Sequence, residues 1–141
     1  KALQTLKKIM PDSEKNPSSR SGAEPYVFTN CYSTHPGYYG KSYQSWTTGT
    51  SVWCLMGIYE GIMGVKRDYE GLKIVPCFPA EWNRAEMTRH FRNADYHIII
   101  ENPQHIESGK PIVSVDGVQI EGNRLPDFAD GSRHEVKVVL R

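Results

Sequence analysis

The sequence has no excess of either charge: 17 Lys and Arg stand against 16 Asp and Glu, a formal net charge of +1. A polyanionic partner draws on a basic excess, so nucleic acid is not expected. Long apolar runs are missing too. None approaches the roughly 20 residues that cross a bilayer, and the start of the chain lacks the basic, apolar and small-residue pattern of a secretory signal. The chain is therefore expected to be soluble, with no membrane partner. Cysteine is scarce: Cys31, Cys54 and Cys77 are odd in number, widely spaced and form no Cys-x-x-Cys pair. That argues against a disulfide framework and for a reduced, cytoplasmic setting. His35, His90, His97, His105 and His134 are scattered without zinc-site spacing, so no metal is expected. An N-glycosylation acceptor is lacking as well, because Pro17 separates Asn16 from Ser18. An initiator methionine is also missing. Lys1 leads directly into Leu3, Leu6, Ile9 and Met10, which read as the last turns of an amphipathic helix, and the expectation is a fragment of a longer protein.

What is present can build a core: 38% of the 141 residues are hydrophobic and 11% aromatic. Four stretches separate by composition. Lys1 to Met10 is helical and Pro11 ends it. From Asp12 to Gln44 the chain is rich in Ser, Pro, Gly, Asn and Tyr and shows no period, so it reads as a long loop. Tyr26, Phe28, Tyr32, Tyr38, Tyr39 and Tyr43 make disorder a poor reading of it. An ordered surface loop lining a polar cavity fits better, since tyrosine offers a stacking face and a hydroxyl together. Val52, Trp53, Leu55, Met56, Tyr59, Ile62 and Met63 then recur near the helical period, giving a helix from about Ser51 to Met63 that Gly64 ends. It is apolar on more than one side and so requires partners on more than one side.

After Tyr69 the period becomes two. Leu72–Val75, Glu86–Arg92, Tyr96–Glu101, Ile112–Val115, Val118–Ile120 and Glu135–Leu140 read as strands. Asp116-Gly117 is the hairpin signal between two of them, and in the last strand Val136, Val138 and Leu140 should face inward. Six short strands with little helix point to a β-sandwich of the jelly-roll kind.

Ser45-Trp46-Thr47-Thr48-Gly49-Thr50 carries the clearest chemistry. Hydroxyls and a glycine stand where a loop turns into a helix, and the free amides of a helix start suit a phosphate or carboxylate. Simple helix capping by Thr47 or Thr48 is the competing reading.

Several stretches together resemble one family. They are Glu24-Pro25-Tyr26-Val27, Trp46-x-Thr48-Gly49-Thr50, the run from Gly64-Val65-Lys66-Arg67-Asp68-Tyr69 to Pro79-Ala80-Glu81-Trp82, and Thr88-Arg89-x-Phe91-Arg92. In order and spacing they are similar to the C-terminal end of the cellobiose and chitobiose phosphorylases, over most of the chain from Glu24 onward. The resemblance implies an α+β fragment. Residues 1–66 would finish an (α/α)6 catalytic barrel and residues 67–141 would form a C-terminal jelly-roll β-sandwich. It implies an inverting phosphorylase that splits a β-linked disaccharide, cellobiose first, with inorganic phosphate to a sugar 1-phosphate and a free sugar. It further implies a homodimer, association with the remainder of the same enzyme, and no organic cofactor or metal.

By residue match, Thr48 and Gly49 would contact the phosphate, the glycine through close backbone approach and the threonine through its hydroxyl. Asn30 stands where relatives often carry a sugar-contacting glutamine, and is one methylene shorter. No catalytic residue is expected on this chain. The general-acid aspartate and the phosphate-binding arginine and histidine would lie upstream, while Asp68, Glu81 and Asp95 match turn or surface positions, so the chain alone should be inactive. Two other readings stay open: a non-catalytic carbohydrate-binding or structural β-sandwich module, and a glucan-processing glucosyltransferase of the same family.

Overall fold

The amphipathic start of the chain folds as helix α1 (Ala2–Ile9) in the computed structural model, which describes residues 1–11 and 13–141. Leu3, Leu6 and Ile9 form its half-buried stripe, and Met10 is already extended (φ −62°, ψ 141°), as a residue before proline prefers. Asp12, where the long loop was expected to begin, lies outside the described residues. The rest of that loop is threaded with short elements: α2 (Ser18–Ser21), β1 (Cys31–Tyr32), a 3₁₀ turn over Pro36–Tyr38, and β2 (Ser42–Tyr43). Strands β1 and β2 pair antiparallel with Cys31 opposite Tyr43 and Tyr32 opposite Ser42. Between them the His35 ring accepts the Gly37 N–H at 3.3 Å, and the Gly40 N–H donates to the Ser33 carbonyl at 2.8 Å. The loop is thus ordered by its own hydrogen bonds. Lys8, Arg20, Tyr32, Tyr39 and Gly40 are among the residues around a cavity of about 280 Å³, whose exposed lining is more apolar than the polar cavity expected of the loop.

The expected single helix from Ser51 to Met63 is in fact two coils. α3 covers Thr50–Met56, and Gly57–Ile62 continues as a π-helical turn in which the Met63 N–H reaches the Ile58 carbonyl at 2.8 Å. Gly57 and Gly61 weaken the α-helical preference here, so the wider turn competes. Gly64 ends the segment at φ +68°, where an added Cβ would overlap the Val75 carbonyl.

The chain divides into two units, Lys1–Gly57 and Ile58–Arg141. The division falls upstream of the boundary expected after Lys66, which lies inside strand β3 (Val65–Asp68). β3 pairs antiparallel with β4 (Gly71–Ile74), so it goes with the β-rich unit. The sequence reading missed it because only Val65 of its four residues is buried and no alternation shows.

The remaining strands are β5 (Arg84–Phe91), β6 (Ala94–Glu101), β7 (Ile112–Val115), β8 (Val118–Gln119) and β9 (Arg133–Val139). They form one sheet in the order β5-β6-β9-β7-β8, antiparallel except for the parallel pair β6 and β9. Asp116-Gly117 makes the β7–β8 turn with φ of +49° and +83°. Arg92-Asn93 makes the β5–β6 turn with φ of +46° and +64°, a turn without glycine that the sequence reading had given partly to a strand. Alternation sends Ala94, Tyr96, Ile98 and Ile100 of β6 and Val136 and Val138 of β9 into the core, with Leu140 just beyond. There they meet Val65, Leu72 and Ile74 of the β3–β4 hairpin, and Leu125 from the β8–β9 connection. Trp82 and Phe91 pack against this cluster. Trp53 does not. On α3 it is 73% exposed, and among the described residues no apolar cluster of Lys1–Gly57 covers it.

Candidate functional site

The β1–β2 register sets the geometry of the site. Pairing Cys31 with Tyr43 places Asn30 opposite Gln44, and the Asn30 Nδ2 donates to Gln44 Oε1 at 2.9 Å. This hydrogen bond orients the amide. With its nitrogen turned to Gln44, Asn30 presents Oδ1 to Thr48, whose hydroxyl lies 3.4 Å away. Gln44 has φ +57°, which turns the chain out of β2 and into Ser45–Gly49.

Thr48 stands one residue before Gly49, the N-cap of α3. Its Oγ1 accepts the Thr50 N–H at 3.1 Å and lies 2.8 Å from the Thr50 hydroxyl. Gly49 is the residue before the helix, and its carbonyl accepts the Trp53 N–H at 3.1 Å. Its backbone (φ −86°, ψ 1°) is open to most residues, and an added Cβ would meet only the Trp53 ring at an ordinary 3.7 Å. The fold does not demand glycine here. What glycine provides is uncovered backbone beside the Thr48 and Thr50 hydroxyls. The amides of Ser51 and Val52 have no intrahelical acceptor in the first turn. With only seven residues, α3 contributes these local N–H groups more than a long-range dipole.

All three expected site residues, Thr48, Gly49 and Asn30, therefore sit together on one unit. Two sequence motifs meet there twice. Besides Asn30 and Thr48, Glu24 accepts the Trp46 indole N–H at 3.1 Å. Backbone hydrogen bonding, then Trp46, holds the Glu24 carboxyl below its ordinary range, so it is an acceptor rather than a proton donor. Gln44 and Thr50 were not singled out from sequence as site residues. The signal that could have found Gln44 is its place opposite Asn30 across a two-strand ribbon, which needs the register. Cys31 and Tyr43 alone do not reveal it.

Chemically, the cluster offers hydroxyl, amide and backbone N–H groups without a cation. It can orient an anion or a sugar but cannot supply a proton at neutral pH. Every carboxyl displaced from its ordinary value among the described residues is displaced downward: Glu24, Asp68, Asp116 and Asp130. A general acid requires the opposite shift. Asp68 is engaged by Arg124, and Asp95 lies 2.8 Å from the His90 ring nitrogen.

No protein-family model matches the chain. Against curated proteins it is 37% identical over 139 residues to the solabiose phosphorylase of Paenibacillus borealis, a match that covers 97% of this chain and 18% of that protein. It is 38% identical over 119 residues to the N,N'-diacetylchitobiose phosphorylase of Vibrio proteolyticus, covering 84% and 15%. It is 34% identical over 142 residues to a 3-O-beta-D-glucopyranosyl-beta-D-glucuronide phosphorylase of Paenibacillus borealis, covering 99% and 18%. The chain thus spans less than a fifth of the length of the curated relatives it matches.

Proposed function

Because the chain belongs to the disaccharide phosphorylases over the segment it shares with them, we propose that it forms one wall of a phosphate site. The enzyme that carries it would split a β-linked disaccharide with inorganic phosphate. The observation that carries this reading is the convergence of Thr48 and Asn30, eighteen positions apart in sequence, beside the open backbone of Gly49. On the same reading, Lys1–Gly57 belongs to the closing helices and loops of an (α/α)6 barrel and Ile58–Arg141 to a jelly roll.

In the proposed reaction a phosphate oxygen attacks the anomeric carbon from the face opposite the glycosidic oxygen. The glycosidic bond breaks, and the departing oxygen takes a proton from a carboxylic acid. The product is a sugar 1-phosphate of inverted configuration and a free sugar. Phosphate arrives already anionic, so no base is required to activate it. The Thr48 hydroxyl and the Gly49–Val52 backbone would fix the phosphate in line, and orientation of this kind supplies a large part of such a barrier reduction. Asn30, tethered by Gln44, would touch either the phosphate or the sugar bound next to it. The acid would come from outside this chain, as the family resemblance implies, and the chain alone would then be inactive.

Cellobiose is the first substrate to assay, beside chitobiose and solabiose, since the relatives differ in the disaccharide they are named for. The test is sugar 1-phosphate release by the protein carrying this chain at its native length, with and without phosphate. Release only in its presence supports the reading. Hydrolysis or transfer indifferent to phosphate overturns it.

A further inference from the structure

A buried histidine in the β-rich unit faces two carboxylates at once. His134, on β9, keeps only 10% of its side chain exposed. Its Nδ1 lies 2.8 Å from Asp116 Oδ2 in the β7–β8 turn, and its Nε2 lies 3.3 Å from Asp130 Oδ1 in the connection before β9. The Phe128 ring stacks on the imidazole with centroids 3.6 Å apart and planes 12° apart, and the Tyr96 ring of β6 closes another side at 6.0 Å. Ionised carboxylates only accept, so both ring nitrogens must donate for both contacts to be hydrogen bonds. That requires the imidazolium.

We propose that His134 is a proton-operated clasp: as the imidazolium it ties both the β7–β8 turn and the Phe128–Asp130 segment to β9, and loss of one proton releases the Asp130 side. The proton lost is the one on Nε2, which passes to water. Asp116 keeps its bond because it is held in place twice. Its Oδ2 faces Nδ1 at the shorter distance, and its Oδ1 accepts the Glu135 N–H at 2.9 Å. Asp130 Oδ1 already accepts the Ser132 N–H at 2.8 Å. Once Nε2 carries a lone pair, two acceptors confront each other there.

The groups that face the ring are Asp116 from the turn, Asp130 from the connection and the Tyr96 phenol from β6, whose hydroxyl is occupied by the Pro126 carbonyl. Arg133 and Glu135, its neighbours on β9, pair with each other at 3.2 Å. Hydrogen bonding to Asp116 is the main cause that raises the His134 pKa above 6.5. Desolvation opposes it, and Asp130 adds to it. The Asp116 carboxyl is lowered from 3.8 chiefly by the His134 bond, and Asp130 from 3.8 chiefly by the Ser132 N–H. The histidine's contribution is complete below 6.5 and is lost as pH rises through its raised folded value. The carboxylates' contribution is complete above 3.8 and is lost as pH falls through their lowered values. The clasp is therefore shut between the lowered carboxylate values and the raised histidine value, and opens as pH rises through the latter.

Deuterium exchange on the native-length protein tests this, because mass spectrometry reads both the His134 ring C–H, which gives its titration, and the amides of the peptide around Phe128–Gly131. Phe128 and Gly131 are suitable reporters, their N–H groups being bonded to the Tyr96 hydroxyl and the Asn93 carbonyl. The expected result is a His134 midpoint above 6.5 and a severalfold loss of amide protection in that peptide across the same pH interval, after correction for intrinsic rates. Asp130→Asn should lower the midpoint and flatten the change, leaving the β6 amides as they were. A midpoint at or below 6.5, or protection unchanged through the titration, or the same pH dependence in Asp130→Asn, overturns the clasp.

Discussion

The two units of this chain solve different problems. Ile58–Arg141 contains the entire apolar core cluster, with Ile74, Ile98, Ile100, Val138 and Leu140 fully buried. Lys1–Gly57 buries Ala23 and Cys54 but leaves Tyr26 80% and Trp46 and Trp53 each 73% exposed. Its order comes instead from contacts between loops, such as Asn30 to Gln44, Thr48 to Asn30 and Trp46 to Glu24. Stability is concentrated in the unit with the sheet, and the proposed recognition chemistry in the unit with the loops. A hydrogen bond exchanged with water yields little net stability, whereas a buried aliphatic side chain yields much more.

The sharpest way to break this contrast is a pair of truncations. Ile98→Ala removes a fully buried side chain from β6 and should cost about 2–5 kcal/mol. Trp53→Ala removes a larger side chain from an exposed face and should change the unfolding free energy of the 141-residue chain by about 0.5 kcal/mol or less. Denaturant unfolding followed by β-sheet circular dichroism compares them directly. Equal losses would mean that the exposed face of α3 is covered by contacts that the structure does not contain.

The site supplies the next effect in size. Thr48→Ala in the native-length protein should weaken phosphate use by about 1–3 kcal/mol, the loss of one hydrogen bond to a charged group. The β-rich unit should unfold as before. Steady-state kinetics with phosphate varied gives the first quantity and thermal unfolding the second. An unchanged phosphate dependence would leave Thr48 as a loop residue that bonds the Thr50 amide and nothing more.

Legibility followed the same division. In the β-rich unit, alternation alone located β6 and the inward set Val136, Val138 and Leu140, and Asp116-Gly117 located a turn. What escaped was β3, which has a single buried residue, and the Arg92-Asn93 turn, whose positive φ values are held by tertiary contacts. Arg92 reaches Asp127 at 2.6 Å and the Tyr69 carbonyl at 2.7 Å. In the loop unit, residue types pointed to Thr48 and Gly49, and the family resemblance to Asn30. Their meeting depends on the register of a ribbon with two residues per strand, and no period of that length is readable. Gln44 went unnoticed for the same reason. The end of α3 at Met56 was equally hidden, because two glycines in an otherwise apolar helix leave α and π turns close in energy.

The smallest expected effect is also the one that can be read separately in each unit. Arg124 grips both oxygens of Asp68, at 2.6 and 3.0 Å, and the Glu70 N–H donates to the same carboxylate at 2.8 Å. Arg124 chiefly, by hydrogen bonding, lowers the Asp68 pKa from 3.8 to about 2. A lowered folded value means stabilisation that is complete above 3.8 and is lost as pH falls towards about 2. The pair ties β3 to the connection that carries Leu125 into the core. The thermal midpoint of the sheet should therefore drop over that interval, and Arg124→Gln should remove this part of the drop. Both side chains are partly exposed, so added salt should shrink it too. In Lys1–Gly57 the acid-sensitive contact is Glu24 with Trp46, whose carboxyl is lowered from 4.5. Its loss falls on an indole with no part in the sheet's core. Trp46 emission should therefore respond to acid while the sheet's circular dichroism at the same pH holds, and Glu24→Gln should abolish only the fluorescence change. If one variant removed both signals, the two units would be a single cooperative structure and the contrast between them would fail.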